Sequence, residues 1–354
     1  MDPQVTSVRN QGAPSIAFIG WNPFQIRHIL GVAQKLENSC IIIEKRKDHI
    51  YKFDEELLTE SGVPTVLWPK NKIYQLDGLF DVIVCQTPFK QMDLIKKSRI
   101  AMMQYGYAKA DHNYGSWRSR ADLCMVYGEH AARHIRPMCP VVITGNPSFD
   151  IWNDPAFHLA SKKKYGELID PLKKTILYAP TWGDLSTINL YFDEILSLSD
   201  EYNVLLKLHH NTDFLEKKKR KYLRSSSSCL SFGANTNLLE LISISDLVIS
   251  DYSGAIFDAL QCKLPVILLH RIDQKSDSSE SKSESLEYSA CRQIGPVIKK
   301  SGILKKIIAD IIECPISFKE PNKIITQDLY LEAPDATSRV VKALIELASE
   351  RQYA

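Results

Sequence analysis

The chain has 354 residues, 44% of them hydrophobic, with 44 basic side chains against 42 acidic ones. That length carries two packed domains rather than one core, and the near-balance of charge excludes a general nucleic-acid binder. Eight cysteines are scattered without a CxxC pair, several inside apolar runs, which points to reduced, buried thiols and a cytoplasmic setting.

In chain order, residues 15–20 read as a first buried strand and 25–37 as the helix after it. Further strands fall at 40–44, 65–68, 80–85, 100–104 and 123–127, with 141–144 as a seventh. Short apolar runs separated by helix-length segments predict a parallel α/β sheet. The pattern breaks after Gly145, Asn146 and Pro147; residues 148–172 are polar and aromatic and read as a connection with a short helix. A second series follows, with strands at 175–178, 202–207, 246–250 and 265–269 and helices at 191–198 and 236–243. A last helix over 336–350 places Val340, Val341, Leu344, Ile345 and Leu347 on an apolar stripe, with Asp335 as its cap. The expected division is 1–155, a connection at 156–172, a second domain at 173–320, and C-terminal helices at 321–354. Two segments stand apart. Residues 276–285 (SDSSESKSES) hold no core-forming side chain and read as an exposed linker, or as a lid or acceptor-binding loop. The run 217–221 (KKKRK) lies on a predicted helix, as a solvated face or as a contact for an anionic membrane or polymer. The N-terminus shows no signal-peptide pattern, and no apolar run approaches membrane-spanning length.

The residues that could carry chemistry gather at predicted strand ends. Residues 247–254 (LVISDYSG) run from an apolar strand through a polar knot into an amphipathic segment. That is the strand–loop–helix pattern at which parallel α/β domains bind anions. Backbone amides and the hydroxyls of Ser250 and Ser253 would surround a diphosphate, and Gly254 lets it approach closely. Asp251, itself anionic, would orient the loop or accept amide bonds. Lys207 and His209 face one side of an extended segment, and either could neutralise phosphate. The ordinary imidazole pKa also suits His209 to protonating a leaving group. The spacing around His209 and His210 gives no metal-ligand pattern, so no metal is expected. Thr181 offers a hydroxyl to a phosphate or ribose, and Trp182 either walls the pocket or packs at a domain interface. In the first series Tyr105, Gly106, Lys109 and His112 follow a strand end, as do residues 20–22. Lys109 and His112 are candidates for acid, base or anion-binding roles.

Together these motifs resemble the bacterial CDP-glycerol glycerophosphotransferase family, which makes teichoic acid and related capsule polymers. The likeness is strongest over residues 176–270, from the YAPTW stretch at 178–182 through Lys207 and His209 to the knot. It implies an α/β fold of the GT-B type, two Rossmann-like parallel-sheet domains facing across a cleft, with the last helix crossing back to the first domain. It implies donor binding by Lys207, His209, Ser250, Asp251, Ser253 and Gly254, with Thr181 nearby, no dissociable metal and no further cofactor. Family members carry His-Gly where this chain has Tyr105 and Gly106. Tyrosine titrates near 10, so the base role passes to His112 or the acceptor differs. His112, His209, Tyr105 and Lys109 are the resulting catalytic candidates. The family's second serine after the tyrosine of the knot is Gly254 here, and its tyrosine–arginine stretch survives loosely as Glu287, Tyr288 and Arg292. The implied activity moves a glycerol-phosphate-like or other polyol-phosphate group from a CDP-activated donor to a hydroxyl of a cell-surface glycan or lipid-linked acceptor. Glycosyl transfer from a nucleotide sugar, a nucleotide-sugar epimerase or hydrolase, and a non-enzymatic polymer-assembly partner are the alternatives. The implied location is cytoplasmic, with peripheral contact at the inner membrane face.

Overall fold

The computed structural model describes residues 12–45, 61–225, 228–270, 285–289, 291–314 and 323–350. The chain divides into two compact units. The first comprises residues 1–105, 114–150 and 328–354, and the second 106–113 and 151–327.

In the first unit, seven parallel strands form one sheet. They are β1 (Ile16–Gly20), β2 (Ser39–Lys45), β3 (Thr65–Pro69), β4 (Val82–Cys85), β5 (Arg99–Met103), β6 (Leu123–Val126) and β7 (Val141–Ile143), in the order β3-β2-β1-β4-β5-β6-β7. The unbroken apolar runs of β1 and β4 are buried along their whole length, as expected of parallel strands covered on both faces. Strand order reverses between β1 and β4, so the connections diverge there and leave the carboxyl ends of the strands open to side chains. Asn22 caps the helix Pro23–Gln34 by accepting the Gln25 N–H at 2.9 Å. Ile26, Ile29, Val32 and Ala33 on that helix pack in one core with Ile16, Phe18, Val82 and Val84.

The last helix, Ala336–Ser349, joins the same core through Val340, Ala343, Leu344, Leu347 and Ala348. Ile345, expected on the apolar stripe, is instead 40% exposed. It lies about 100° round the helix from Leu344, and the alanines complete the buried face. Asp335 does cap the helix, accepting the Ser338 N–H at 3.1 Å. Asp150 reinforces the cap by accepting the Ala336 and Thr337 N–H groups at 2.8 and 2.7 Å.

In the second unit, six parallel strands follow the order β10-β9-β8-β11-β12-β13. They are β8 (Thr175–Tyr178), β9 (Asn203–Lys207), β10 (Leu230–Phe232), β11 (Leu247–Ser250), β12 (Val266–Leu269) and β13 (Val297–Ile298). Order reverses between β8 and β11, a second switch point. Ile176, Tyr178, Leu206, Ile249 and Ile267 share a core with Ile188, Phe192 and Ile195 of the helix Ile188–Ser197 and with Ile308 and Ile311 of Leu304–Glu313. The short helix expected after residue 148 is Pro155–Tyr165, capped by Asp154, which accepts the Ala156 N–H at 2.9 Å. The basic run lies on the helix Lys217–Arg224, where Leu223 is the buried anchor and Lys217, Lys218 and Lys221 are exposed. Of the serine-rich segment, residues 276–284 lie outside the described residues, and Ser285 is buried. Among the described residues no helix is long and apolar enough to cross a membrane.

Candidate active site

The knot at 250–254 is built around Asp251, which is 2% exposed. Its Oδ1 accepts the Thr181 N–H at 2.7 Å; its Oδ2 accepts the Thr187 N–H and hydroxyl, both at 2.9 Å. One carboxylate thus joins the end of β11 to the loop after β8 and to the start of the helix Ile188–Ser197. Burial pushes its pKa up to about 6, against the hydrogen bonds from Thr187 and Thr181 and the charge of Lys109. Its three accepted bonds give it the orienting role, and both of its oxygens are occupied.

The other knot residues differ. Ser250 is fully buried and its hydroxyl donates to the Ala179 carbonyl at 2.6 Å, so it ties β11 to the loop after β8 and does not offer its proton to a ligand. The Ser253 hydroxyl accepts the Ala255 N–H at 3.3 Å, and its own proton has no acceptor among the described residues. Gly254 has a right-handed helical backbone with open space around its Cβ position. Close ligand approach is therefore a matter of room at Gly254, not of a special φ. The Thr181 hydroxyl makes no hydrogen bond among the described residues, although the side chain is buried.

At the end of β9, His209 opens the short helix His210–Leu215, and its Nδ1 accepts the Asn211 N–H at 3.1 Å. An accepting Nδ1 carries no proton, so the neutral ring holds its proton on Nε2 and presents a donor there. Trp182 stacks on this ring at 6.1 Å and 22°, and His210 packs on it at 4.1 Å. Burial, then the charges of His210, Lys109 and Lys207, hold His209 well below the usual imidazole range. Burial, then Lys207 and Lys109, take His210 down to about 3. Both rings are therefore neutral near pH 7. The Lys207 ammonium, at the last residue of β9, donates to the Leu208 carbonyl at 3.1 Å.

Lys109 is the departure from expectation. Residues 106–113, read from the sequence with the first strand series, pack within the second unit. Tyr107, 2% exposed, sets its ring 5.5 Å from that of Phe257. The Lys109 N–H donates to Glu287 Oε1 at 2.8 Å and the Ala110 N–H to the Ser285 hydroxyl at 3.0 Å. Lys109 itself adopts a left-handed backbone, φ 63°. An apolar tyrosine and two amide donors thus find partners beyond the reach of local sequence patterning. The consequence is electrostatic: the Lys109 ammonium acts on His209, His210, Asp251 and Glu287. His112, on the one-turn helix Ala110–Asn113, is exposed, and its side chain makes no hydrogen bond among the described residues. It does not join the cluster. Tyr105 stays with the first unit, half-buried, edge-on to Phe24 at 5.3 Å.

The sequence reading gave no role to Ser285, Thr187 or Tyr252, and it reached Glu287 only as part of a loose likeness. Tyr252, 2% exposed, stacks on Tyr288 at 4.6 Å and lies 5.5 Å from the His270 ring. Glu287 is 4% exposed, its pKa is raised by burial, and its Oε2 has no hydrogen-bond partner among the described residues. Its position in a weak sequence likeness was the one signal available. Among the described residues no group of three or more His, Cys, Asp or Glu could hold a metal ion.

Comparison with known proteins fixes the relationship. Residues 95–346 match the family model described as CDP-Glycerol:Poly(glycerophosphate) glycerophosphotransferase, and the chain belongs to that family. It is 30% identical over 204 residues to the teichoic acid poly(glycerol phosphate) polymerase of Bacillus spizizenii strain W23, covering 53% of this chain and 48% of that one. It is 26% identical over 185 residues to the teichoic acid glycerol-phosphate transferase of Staphylococcus aureus strain NCTC 8325, covering 49% of this chain and 46% of that one. The matches thus span about half the length, or less, of these curated relatives. In fold, the chain is similar to the wall teichoic acid polymerase TagF, with a TM-score of 0.66 at 16% identity over 96% of this chain and 90% of that one. It is also similar to the UDP-GlcNAc 2-epimerase of Neisseria meningitidis, with a TM-score of 0.60 at 13% identity over 94% and 100%. The two parallel-sheet α/β units have the GT-B-like architecture expected from the sequence.

Proposed function

We propose that this chain is a transferase that moves a glycerol-phosphate-like group from a CDP-activated donor to a hydroxyl of a glycan or lipid-linked acceptor. The observation that carries this reading is the grouping within the second unit of Lys109, Lys207, His209 and His210, where the charges of both lysines lower both imidazoles. Such a cluster favours an anion with several charged oxygens. The acceptor oxygen attacks the β-phosphorus of the donor, and the bond from that phosphorus to the bridging oxygen breaks. CMP leaves with the bridging electron pair, and the hydroxyl proton passes to a base. Lys109 and Lys207 offset charge on the diphosphate as it shifts to the leaving group. His209 serves as a neutral donor through Nε2, and Ser253 and Thr181 have hydroxyl protons free for phosphate or ribose oxygens. Asp251 and Ser250 hold the loops that carry these groups.

A nucleotide-sugar donor is the second reading, favoured by Glu287, whose buried Oε2 can accept a hydrogen bond from a sugar hydroxyl. One experiment separates the two. The protein is incubated with CDP-glycerol and, separately, with UDP-sugars, each with a glycerol-phosphate-primed acceptor, and the released nucleotide is identified. The first reading expects CMP from CDP-glycerol. Release of UDP from a sugar donor, with no CMP, overturns it. A location at the inner membrane face, with Lys217, Lys218 and Lys221 toward anionic lipid, is part of the same proposal.

A further inference from the structure

Two cysteine sulfurs meet inside the first unit. No paired spacing marks them in the sequence, but the fold brings Cys124 Sγ and Cys139 Sγ to 3.2 Å. Cys124 lies in β6, in register with Val141 of β7, and its N–H donates to the Pro140 carbonyl at 2.9 Å. Cys139 is held from the other side. It follows the helix Glu129–Ile135, and its N–H donates to the Ile135 carbonyl at 3.3 Å. Strand pairing and a helix end thus set the two side chains against each other. Cys124 is fully buried, and Cys139 is 8% exposed, between half-buried Met138 and exposed Pro140.

A buried cation faces this pair. Arg118, on the short 3-10 helix Ser116–Arg120, is fully buried. Its Nη1 lies 3.6 Å from Cys124 Sγ, and its guanidinium sits 4.6 Å over the Trp117 ring. A guanidinium keeps its charge inside a protein. The Cys139 thiol donates to the Cys124 sulfur, and that bond, with the Arg118 charge, holds the Cys124 thiol down at about 7 against the opposing effect of burial. The same bond, with burial, raises Cys139. Cys85 feels the Arg118 charge too, yet burial pushes its thiol up to about 12. A thiolate beside an arginine is the reactive form of cysteine, whereas a thiol kept protonated by apolar surroundings is inert. Cys124 and Cys85 therefore differ in chemistry although both are buried in one sheet.

We propose that Cys124 and Cys139 are an oxidative modification site, which a small peroxide converts to a disulfide with Cys124 attacking and Cys139 resolving. The Cys124 thiolate attacks one peroxide oxygen and the O–O bond breaks; the released hydroxide takes the Cys139 thiol proton and becomes water. A sulfenic acid then faces a thiolate. The Cys139 thiolate attacks the Cys124 sulfur, the S–O bond breaks, and the hydroxide that leaves takes a proton from solvent. Two thiols are oxidised, and one peroxide is reduced to two waters. From 3.2 Å, the sulfurs close by about 1.2 Å to reach the ~2.0 Å bond of a disulfide. A small oxidant suits the site, because only the edge at Cys139 meets solvent. The new bond closes residues 124–139 into a loop that contains the helix Glu129–Ile135. Arg133 of that helix donates to Asp328 Oδ1 at 2.8 Å, and the Tyr127 carbonyl accepts the Leu331 N–H at 2.9 Å. Oxidation thus braces the segment on which residues 328–331 of the first unit dock.

The test treats the fully reduced, folded chain with excess hydrogen peroxide and maps its tryptic peptides by mass spectrometry without reduction. The expected product joins the Cys124 peptide to the Cys139 peptide with loss of two hydrogens. Dithiothreitol reverses it, and Cys85 remains a thiol. In Cys139→Ser the sulfenic acid on Cys124 has no resolving partner and is captured by dimedone. In Cys124→Ser the oxidation of Cys139 is slower by about tenfold or more, because the attacking thiolate is gone. Chain unfolded in urea before the peroxide is added loses the preference for this pair. Thermal unfolding checks that each variant is folded, and the crosslink in the parent is read without any variant, so a variant that fails to fold leaves the test standing. The proposal is overturned if Cys124 and Cys139 stay reduced in the folded chain while the exposed Cys314 is oxidised. It is equally overturned if the same crosslink forms as readily in urea, or if Cys85 takes the place of either cysteine.

Discussion

The geometry of His209 makes a prediction that separates binding from stability. The ring has two roles on two nitrogens: Nδ1 accepts the Asn211 N–H at 3.1 Å, and Nε2 is assigned as donor to the diphosphate. Asparagine at this position can keep the first role, because its side-chain oxygen is a good helix cap, but it is too short to keep the second. His209→Asn should therefore unfold within a few tenths of a kcal/mol of the parent. His209→Ala loses the cap as well and should cost about 1 kcal/mol more. A neutral donor to a charged oxygen is worth about 1.5–3 kcal/mol, so both variants should bind CDP-glycerol about 10- to 150-fold more weakly. Calorimetric titration gives the affinities, and urea unfolding gives the stabilities. Because the ring is held well below the usual imidazole range, the parent affinity should not weaken as pH rises from about 6.5 to 8. A folded His209→Asn variant that binds within twofold of the parent refutes the donor assignment. A parent affinity that collapses through pH 6.5 refutes the neutral ring.

Two further outcomes follow from packing and burial. Asp251 has a folded pKa of about 6 against an ordinary 3.8, so the unfolded chain gives up this proton first. Its contribution is present in full below pH 3.8 and is lost as pH rises through 6, a swing of about 3 kcal/mol. Asp251→Asn should be less stable than the parent, because one of the Thr181 and Thr187 donor sets faces an amide N–H. That deficit should shrink from pH 4 to pH 7 in urea unfolding, and a constant or growing deficit refutes the assignment. Gly295→Ala would place a Cβ 2.0 Å from the Val266 carbonyl oxygen, a backbone atom that cannot turn aside. It should destabilise the second unit by about 3 kcal/mol or more, seen as faster proteolysis within residues 151–327 in limited digestion. Unchanged proteolysis there would show that β12 and β13 separate without cost.

Strands buried on both faces announce themselves as unbroken apolar runs, which is why β1, β4, β9, β11 and β12 were legible in the sequence. Strands β10 and β13, of three and two residues, were not. Leu230, Ser231 and Phe232 are half-buried at the sheet edge, and an edge strand that short has no period to detect. The positions of the knot, Lys207 and His209 at the ends of β11 and β9 were legible, because an apolar run that stops at a polar cluster marks a strand end. What each knot side chain does was not. Ser250 and Ser253 differ only in the direction of a hydroxyl, and the three bonds of Asp251 come from residues 64 to 70 positions away. The placement of residues 106–113 was invisible for the same reason, since it depends on Ser285 and Glu287, more than 170 positions distant.

That placement changes how the charge of the site is understood. Read by sequence series alone, the second unit would offer one lysine and two histidines to an anion. With Lys109 included it offers two ammonium groups, and their charges help to keep both imidazoles neutral. A diphosphate diester carries two negative charges, so two ammonium groups and neutral donors match it without excess. On the proposed transfer, four protonated groups would hold the products as firmly as the donor, because CMP and a transferred phosphate together carry more negative charge than a CDP-activated donor. On the same proposal, suppressing imidazole protonation confines the strong attraction to Lys109 and Lys207 and leaves His209 to read oxygen position through one directed bond. Glu287 serves this arrangement indirectly. Its Oε1 holds the Lys109 amide, and with it the left-handed backbone that sets where the lysine side chain begins.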